Sequence, residues 1–195
     1  MKKMFLGLAV LALMSLSSWA ALKPGDAAPD FSANASLAGK EFHFSLPDAL
    51  KKGPAVVYFY PSAYTQGCDL EAHTFAQEKD KFDAAGATII GVSADSIARL
   101  NQFSADPAYC AGKFPVASDG DRKIADSYNL SAFKLKAGMK DVRGVEIDHD
   151  LIERVTFVIG KDHKILATFS SNADKLTPDQ HVQKALELVQ KLAAK

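Results

Sequence analysis

The segment from residue 53 to residue 75 constrains the fold more than any other part of the sequence, because it predicts a buried strand leading into a helix. Residues 55–60 are an unbroken apolar run rich in β-branched and aromatic side chains, which is typical of a strand buried on both faces. Pro61 ends this strand because it has no N–H group to donate. Cys68 follows a short polar turn, and the amphipathic sequence after it, acidic at its start, predicts a helix that reaches about Ala85.

This placement predicts a reactive thiol at Cys68. Unpaired N–H groups and the helix dipole at a helix N-terminus both stabilise a thiolate, which is the nucleophilic form of cysteine. Thr65 lies three residues earlier, where its hydroxyl can point at the sulfur or at an oxygen bound there. A lone cysteine is more often a small buried core residue, but the order of strand, proline, turn and helix favours the reactive thiol.

The N-terminus predicts a secretory signal peptide over residues 1–20, followed by a single domain over residues 21–195. Lys2 and Lys3 precede an apolar segment too short for a comfortable membrane span, and Ala20 ends a small-x-small cleavage signal. The alternative is an uncleaved membrane anchor. Cleavage leaves 21 basic and 23 acidic residues, a formal charge of −2, which gives no reason to expect nucleic acid or an anionic membrane as a partner.

The rest of the chain alternates strands with helices and predicts an α/β fold, a mixed central β-sheet flanked by helices. Further strands are predicted over residues 40–44, 87–93, 114–117, 154–160 and 165–169. Further helices are predicted over residues 45–52, 95–105, 122–128 and 177–192. Residues 36–39 predict a turn, and residues 131–153, which lack a clear periodicity, predict a long surface segment or a hairpin.

The pattern Pro61-x-x-x-Thr65-x-x-Cys68 resembles the active-site motif of the peroxiredoxins, and Glu71 stands where many members carry an acid. Four further segments resemble family motifs and fall in the expected order: residues 25–31, 91–95, 114–119 and 154–159. The similarity extends over essentially the whole mature chain, and the subgroup it most resembles is the bacterioferritin-comigratory (Q-type) peroxiredoxins. It implies a thioredoxin-like fold with the family's N-terminal extension.

The resemblance also implies a role for each residue of the motif. Cys68 would attack a peroxide oxygen and become a sulfenic acid, while Thr65 would align the peroxide. Arg154 would lower the pKa of the cysteine and stabilise charge on the departing oxygen, and Pro61 would shield the pocket from water. The chain would need no cofactor or metal, because its electrons would come from an external dithiol reductant of the thioredoxin type.

Two positions depart from the family pattern. Gln66 replaces a proline that is common after the motif threonine, and His73 occupies the position where many Q-type members carry a resolving cysteine. Some members resolve with a cysteine in the region of Cys110, so the resemblance implies an intramolecular Cys68–Cys110 disulfide in a monomer or weak homodimer. Cys68 would then have to leave the first helical turn by local unfolding.

Three alternatives stay open at the level of sequence. The chain could be a one-cysteine peroxidase with Cys110 as a bystander. It could be a thioredoxin-type oxidoreductase, although it lacks a Cys-x-x-Cys motif. It could also be a non-enzymatic domain with a structural Cys68–Cys110 disulfide, which would stabilise it by about 4 kcal/mol in the chain-entropy model. The acidic segment 146–153 is predicted to be a solvated loop rather than a metal site. His73 is predicted to lie on the surface of its helix.

The signal peptide predicts export, and we expect the destination to be a bacterial periplasm. Export by cleavage of this segment can be tested on the mature protein. N-terminal sequencing of the exported protein should begin at Ala21, and the mature protein should show no indole fluorescence because Trp19 is the only tryptophan. A retained Met1 would contradict cleavage and favour the membrane anchor.

Overall fold

The computed structural model of the protein describes residues 20–194, so the predicted signal peptide lies outside the described residues except for Ala20. Nine strands are described: β1 Ser32–Leu37, β2 Lys40–Ser45, β3 Ala55–Phe59, β4 Thr88–Ser93, β5 Val116–Ser118, β6 Ala132–Phe133, β7 Leu151–Ile152, β8 Val155–Ile159 and β9 Ile165–Ser170. Five helices are described: α1 Leu46–Lys52, α2 Gln66–Ala84, α3 Ile97–Ala105, α4 Lys123–Ser127 and α5 Pro178–Ala193. Within this part of the chain, no helix combines the length and apolar character needed to cross a membrane.

Seven of the strands form one mixed sheet in the order β2-β1-β5-β4-β3-β8-β9. The predicted central strand, β3, pairs in parallel with β4 and antiparallel with β8, and all five of its residues are buried. The predicted α/β fold with a mixed central sheet flanked by helices is therefore confirmed. The predicted edge strand is also confirmed, because β2 lies at one end of the sheet.

The side chains of β3 alternate between two apolar cores, one on each face of the sheet. Val57 and Phe59 face the core that α1 and α4 cover. Val56 and Tyr58 face the core that α2, α3 and α5 cover. The buried stripe predicted for the terminal helix is confirmed on this second side, by Val182, Leu186 and Val189. Both cysteines lie in this second core.

The segment that precedes β1 runs along the β8–β9 hairpin, so residues near the N-terminus of the domain are hydrogen-bonded to β9. The Gly25 N–H donates to the Ile165 carbonyl at 2.8 Å, and the Ile165 N–H donates to the Asp26 carbonyl at 3.0 Å. The Thr168 hydroxyl donates to the Leu22 carbonyl at 2.7 Å. This N-terminal extension is not helical, as its prolines and glycine predicted.

One prediction about local structure needs correction, and another, the hairpin within residues 131–153, agrees with the structure. The turn predicted over residues 36–39 contains only Ala38 and Gly39, both at positive φ, because residues 32–37 form β1, a strand that was not predicted. β1 was missed because its short alanines and serines lack the large apolar residues typical of strands. The segment 131–153 is hairpin-like: β6 pairs with β7 at its base, and Lys140 bridges Glu146 near its tip.

The packing of Tyr58 against Gly91 in the paired strand β4 makes a prediction about stability. A Cβ atom at Gly91 would lie 2.6 Å from Cζ of Tyr58, so Gly91→Ala should overpack the core and lower the free energy of unfolding by about 1–3 kcal/mol. Urea unfolding measures this, with Gly120→Ala as control, because a Cβ there would have its nearest neighbour 4.0 Å away. Equal stability of the two variants would contradict the packing.

Candidate active site

Cys68 lies in the first turn of α2, directly beyond the end of the central strand, as the sequence predicts. Thr65 is the N-cap residue with extended backbone angles, and its carbonyl accepts the first helical hydrogen bond, from the Asp69 N–H at 2.9 Å. The side chain of Cys68 is directed inward, and the residue is only 2% exposed. The thiol is therefore held at a helix start but is largely removed from water.

Arg154 reaches Cys68 from the neighbouring strand. It immediately precedes β8, whose Val155 lies opposite Phe59 in the antiparallel register, so its side chain enters beside the end of β3. Its Nη2 donates to Cys68 Sγ at 3.1 Å, and its Nη1 donates to Glu71 Oε2. The Glu71 side chain is fully buried, so one guanidinium joins a thiol and a carboxyl inside the protein.

Burial and charge act on the thiol in opposite directions. Burial raises the pKa of the Cys68 thiol above its ordinary value, while the charge of Arg154 and its hydrogen bond to the sulfur lower that pKa. The lowering effect of Arg154 that the sequence predicted is present, but burial, which that prediction did not include, outweighs it. Burial likewise raises the pKa of Glu71 to about 7, with Arg154 again opposing it.

The other predicted site residues lie in the loop before α2 and, for Cys110, in the same core as Cys68. Thr65 donates its hydroxyl to the Ser62 carbonyl at 2.8 Å. Pro61 is partly buried just beyond the end of β3. Cys110 is fully buried in the turn that follows α3, and burial raises the pKa of its thiol well above its ordinary value. Both cysteines are free thiols in this structure.

Several residues that shape the site were not predicted. A Cβ atom at Gly67 would lie 3.3 Å from Arg154 Nη2, so the glycine leaves room for the guanidinium. Asp95 is fully buried and accepts hydrogen bonds from the Ala63 N–H at 2.7 Å and from the Ser62 hydroxyl at 2.8 Å. The similarity in sequence included Asp95 but suggested no role for it.

His149 corrects the prediction that the acidic segment 146–153 is a solvated loop. Its side chain is only 11% exposed, and its Nε2 lies 2.9 Å from Asp95 Oδ1. His73, by contrast, is on the helix surface as predicted, where its Nδ1 lies 3.1 Å from the Ala108 carbonyl. Across residues 20–194, no cluster of three or more histidine, cysteine or acidic side chains is arranged to hold a metal ion.

The contact between Arg154 and the sulfur makes a prediction about reactivity. Arg154→Gln should slow alkylation of Cys68 at pH 7 by about tenfold to a hundredfold, because a hydrogen bond to a charged group is lost. Removing the positive charge raises the pKa of the thiol, so the pH profile of alkylation should move to higher pH. Mass spectrometry of iodoacetamide labelling measures both, with the exposed Lys161→Gln as control. An unchanged pH profile in Arg154→Gln would contradict the role of Arg154 in stabilising the Cys68 thiolate.

Comparison with known sequences places this site in one family. The model of the AhpC/TSA family matches residues 24–168. Peroxiredoxin Bcp of Xanthomonas campestris pv. campestris is 35% identical over 111 residues, which are 57% of this chain and 62% of that protein. The chloroplastic peroxiredoxin Q of Oryza sativa subsp. japonica is 29% identical over 168 residues, which are 86% of this chain and 67% of that protein.

Solved structures agree with the sequence comparison. Peroxidoxin BcpB from Mycobacterium tuberculosis superposes with a TM-score of 0.71 at 27% identity, covering 87% of this chain and 97% of that one. The Xanthomonas campestris bacterioferritin comigratory protein superposes with a TM-score of 0.62 at 28% identity, covering 82% of this chain and 91% of that one. The chain has the thioredoxin-like peroxiredoxin fold and belongs to the AhpC/TSA family of peroxiredoxins.

Proposed function

We propose that the protein is a thiol-dependent peroxidase in which Cys68 reduces hydrogen peroxide or organic hydroperoxides. The observation that carries this proposal is the 3.1 Å contact between Arg154 Nη2 and Cys68 Sγ at the start of α2. A static structural cysteine needs no buried guanidinium at its sulfur. The similar Xanthomonas campestris protein is described as having alkyl peroxide reduction activity, which supports including organic hydroperoxides among the substrates.

The first step uses the groups that surround the sulfur. The Cys68 thiolate attacks one oxygen of the peroxide, the O–O bond breaks, and the sulfur becomes a sulfenic acid. The other oxygen leaves as water or an alcohol after it takes up a proton. Arg154 stabilises the charge that develops on the departing oxygen. Thr65, whose hydroxyl now binds a backbone carbonyl, turns that hydroxyl towards the peroxide, and Pro61 limits access of bulk water.

The second step joins the two cysteines. The Cys110 thiol attacks the sulfenic acid, a disulfide forms, and the sulfenic hydroxyl leaves as water with the thiol proton. Both residues belong to the same core on one face of the sheet, which supports this pairing. Cys68 lies in the first turn of α2, where the helical hydrogen-bond ladder begins, so local opening of that turn and its preceding loop would free Cys68.

Recycling depends on a partner outside the chain. Peroxiredoxins use no prosthetic group and take their electrons from thiol reductants. We expect a thioredoxin-like protein to reduce the Cys68–Cys110 disulfide of a monomer or weak homodimer. If residues 1–20 direct export as proposed, this donor must work in a periplasm that is kept oxidising.

The second candidate is a one-cysteine peroxidase, which the complete burial of Cys110 favours. In that scheme the external reductant attacks the Cys68 sulfenic acid directly. Cys110 then only fills the core, as buried cysteines commonly do.

Intact mass after one equivalent of peroxide separates these schemes. The wild-type protein should lose two hydrogens as its disulfide forms. Cys110→Ser should gain one oxygen and retain a trappable sulfenic acid, whereas Cys68→Ser should consume no peroxide with a dithiol present. A persistent gain of one oxygen in the wild type would favour the one-cysteine scheme. Full peroxidase activity in Cys68→Ser would refute the proposed nucleophile.

A further inference from the structure

The loop between β3 and α2 contains a residue in an unfavourable backbone conformation. Tyr64 has φ of 60°, in the left-handed region that side chains with a Cβ atom rarely adopt. It is buried and lies four residues before Cys68 in the sequence. Such a conformation persists only where the surrounding contacts hold it. The contacts of this loop therefore decide whether the first turn of α2 stays formed.

One set of contacts comes from α3 and the segment before it. Arg99 Nη2 donates to the Ala63 carbonyl at 2.8 Å, and Asp95 accepts from the Ala63 N–H on the other side of the same residue. Arg99 Nε also lies 2.9 Å from Asp95 Oδ1. These contacts fix the residue before Tyr64 to a part of the fold that does not include either cysteine.

The second set of contacts comes from the hairpin segment 139–147. The Val142 N–H donates to the Tyr64 carbonyl at 2.9 Å. The guanidinium carbon of Arg143 lies 3.2 Å from the centroid of the Tyr64 ring. Asp141, whose side chain is fully buried, accepts from Arg143 Nη2 at 2.9 Å and from Arg99 Nη2 at 2.8 Å, which joins the two sets.

The Tyr64 ring also contacts the segment that carries the second cysteine. Its centroid lies 5.4 Å from the ring of Tyr109, the residue immediately before Cys110, in an edge-to-face arrangement. Arg143 thus covers a ring that belongs to the loop before Cys68 and packs against the segment before Cys110. Arg143 makes no hydrogen bond to either sulfur, so it acts on the reaction indirectly, through Tyr64, through Asp141 and through Gln102, whose Oε1 accepts from Arg143 Nη1 at 3.0 Å.

We propose that Arg143, oriented by Asp141, is a positioning residue that holds the 62–65 loop closed and sets how fast the Cys68 sulfenic acid is resolved. This proposal rests on the proposed function, in which Cys110 is the resolving cysteine. The contacts of Arg143 with Tyr64 and Asp141 form the clamp. While the clamp holds, the first turn of α2 keeps Cys68 beside Arg154 for reaction with peroxide. When it releases, the strain at Tyr64 favours opening, and the sulfenic acid becomes accessible to Cys110.

Removing the clamp should speed the second step without slowing the first. Arg143→Ala should raise the rate of disulfide formation by roughly threefold to thirtyfold, the range expected for losing a cation–π contact. The rate of sulfenic acid formation should change by less than about twofold, because the closed state still predominates. A merely structural loss would lower both rates together. Arg143→Lys, which keeps the cation without the planar fork, should restore part of the wild-type rate.

The test combines stopped-flow mixing with peroxide and hydrogen exchange of the reduced protein. Arg143→Ala, Arg143→Lys and the control Lys140→Ala, an exposed residue of the same hairpin, are compared with the wild type. Amide exchange in residues 62–68 should be fastest in Arg143→Ala, intermediate in Arg143→Lys and unchanged in Lys140→Ala. If Arg143→Ala forms the disulfide and exchanges these amides no faster than Lys140→Ala does, the proposal is overturned.

The exchange measurement is repeated in a Cys110→Ser background, so that the clamp and the resolving cysteine are tested separately. If no disulfide forms in any variant, the assignment of Cys110 has failed, and exchange alone decides on the clamp. Faster exchange in Arg143→Ala would then still support it, and unchanged exchange would overturn it.

Discussion

The buried guanidinium of Arg154 is the interaction on which the site depends. A buried positive charge is costly unless it is paired, and here a thiol and a carboxyl share the pairing. Burial raises the pKa of Glu71 to about 7 and Arg154 opposes that rise, so the carboxyl and the thiol share one guanidinium as their counter-charge. The antiparallel register of β8 with β3 and the missing side chain of Gly67 both serve to admit this one group.

The two faces of the sheet differ in whether their core contains the cysteines. The core covered by α1 and α4 contains neither cysteine and holds the N-terminal extension against β8 and β9. The core covered by α2, α3 and α5 contains both thiols, so the proposed disulfide would form on this side of the sheet. β3 lies between the two cores, and all five of its residues are buried.

The features that were predicted from the sequence are local in the chain. The apolar run of β3, the acidic start of α2 and the cap of α5 each depend on neighbouring residues, and all three occur in the structure. The features that were missed depend on distant contacts. The partnership of His149 with Asp95 spans 54 residues, and no periodicity in the acidic segment could indicate it. Burial of Cys68 was missed for the same reason, since the core that contains it is assembled from elements far apart in the sequence, α5 among them.

The separation of Cys68 from Arg154 also has a consequence for how the protein is made. The two residues are 86 positions apart, and Leu22 meets Thr168 across 146 positions, so these contacts form only after most of the chain has been synthesised. Contacts of such long range are the slow part of folding. A nascent or unfolded chain therefore carries an ordinary cysteine at position 68. The thiol acquires its guanidinium only when the sheet is complete, which couples chemical reactivity to successful folding.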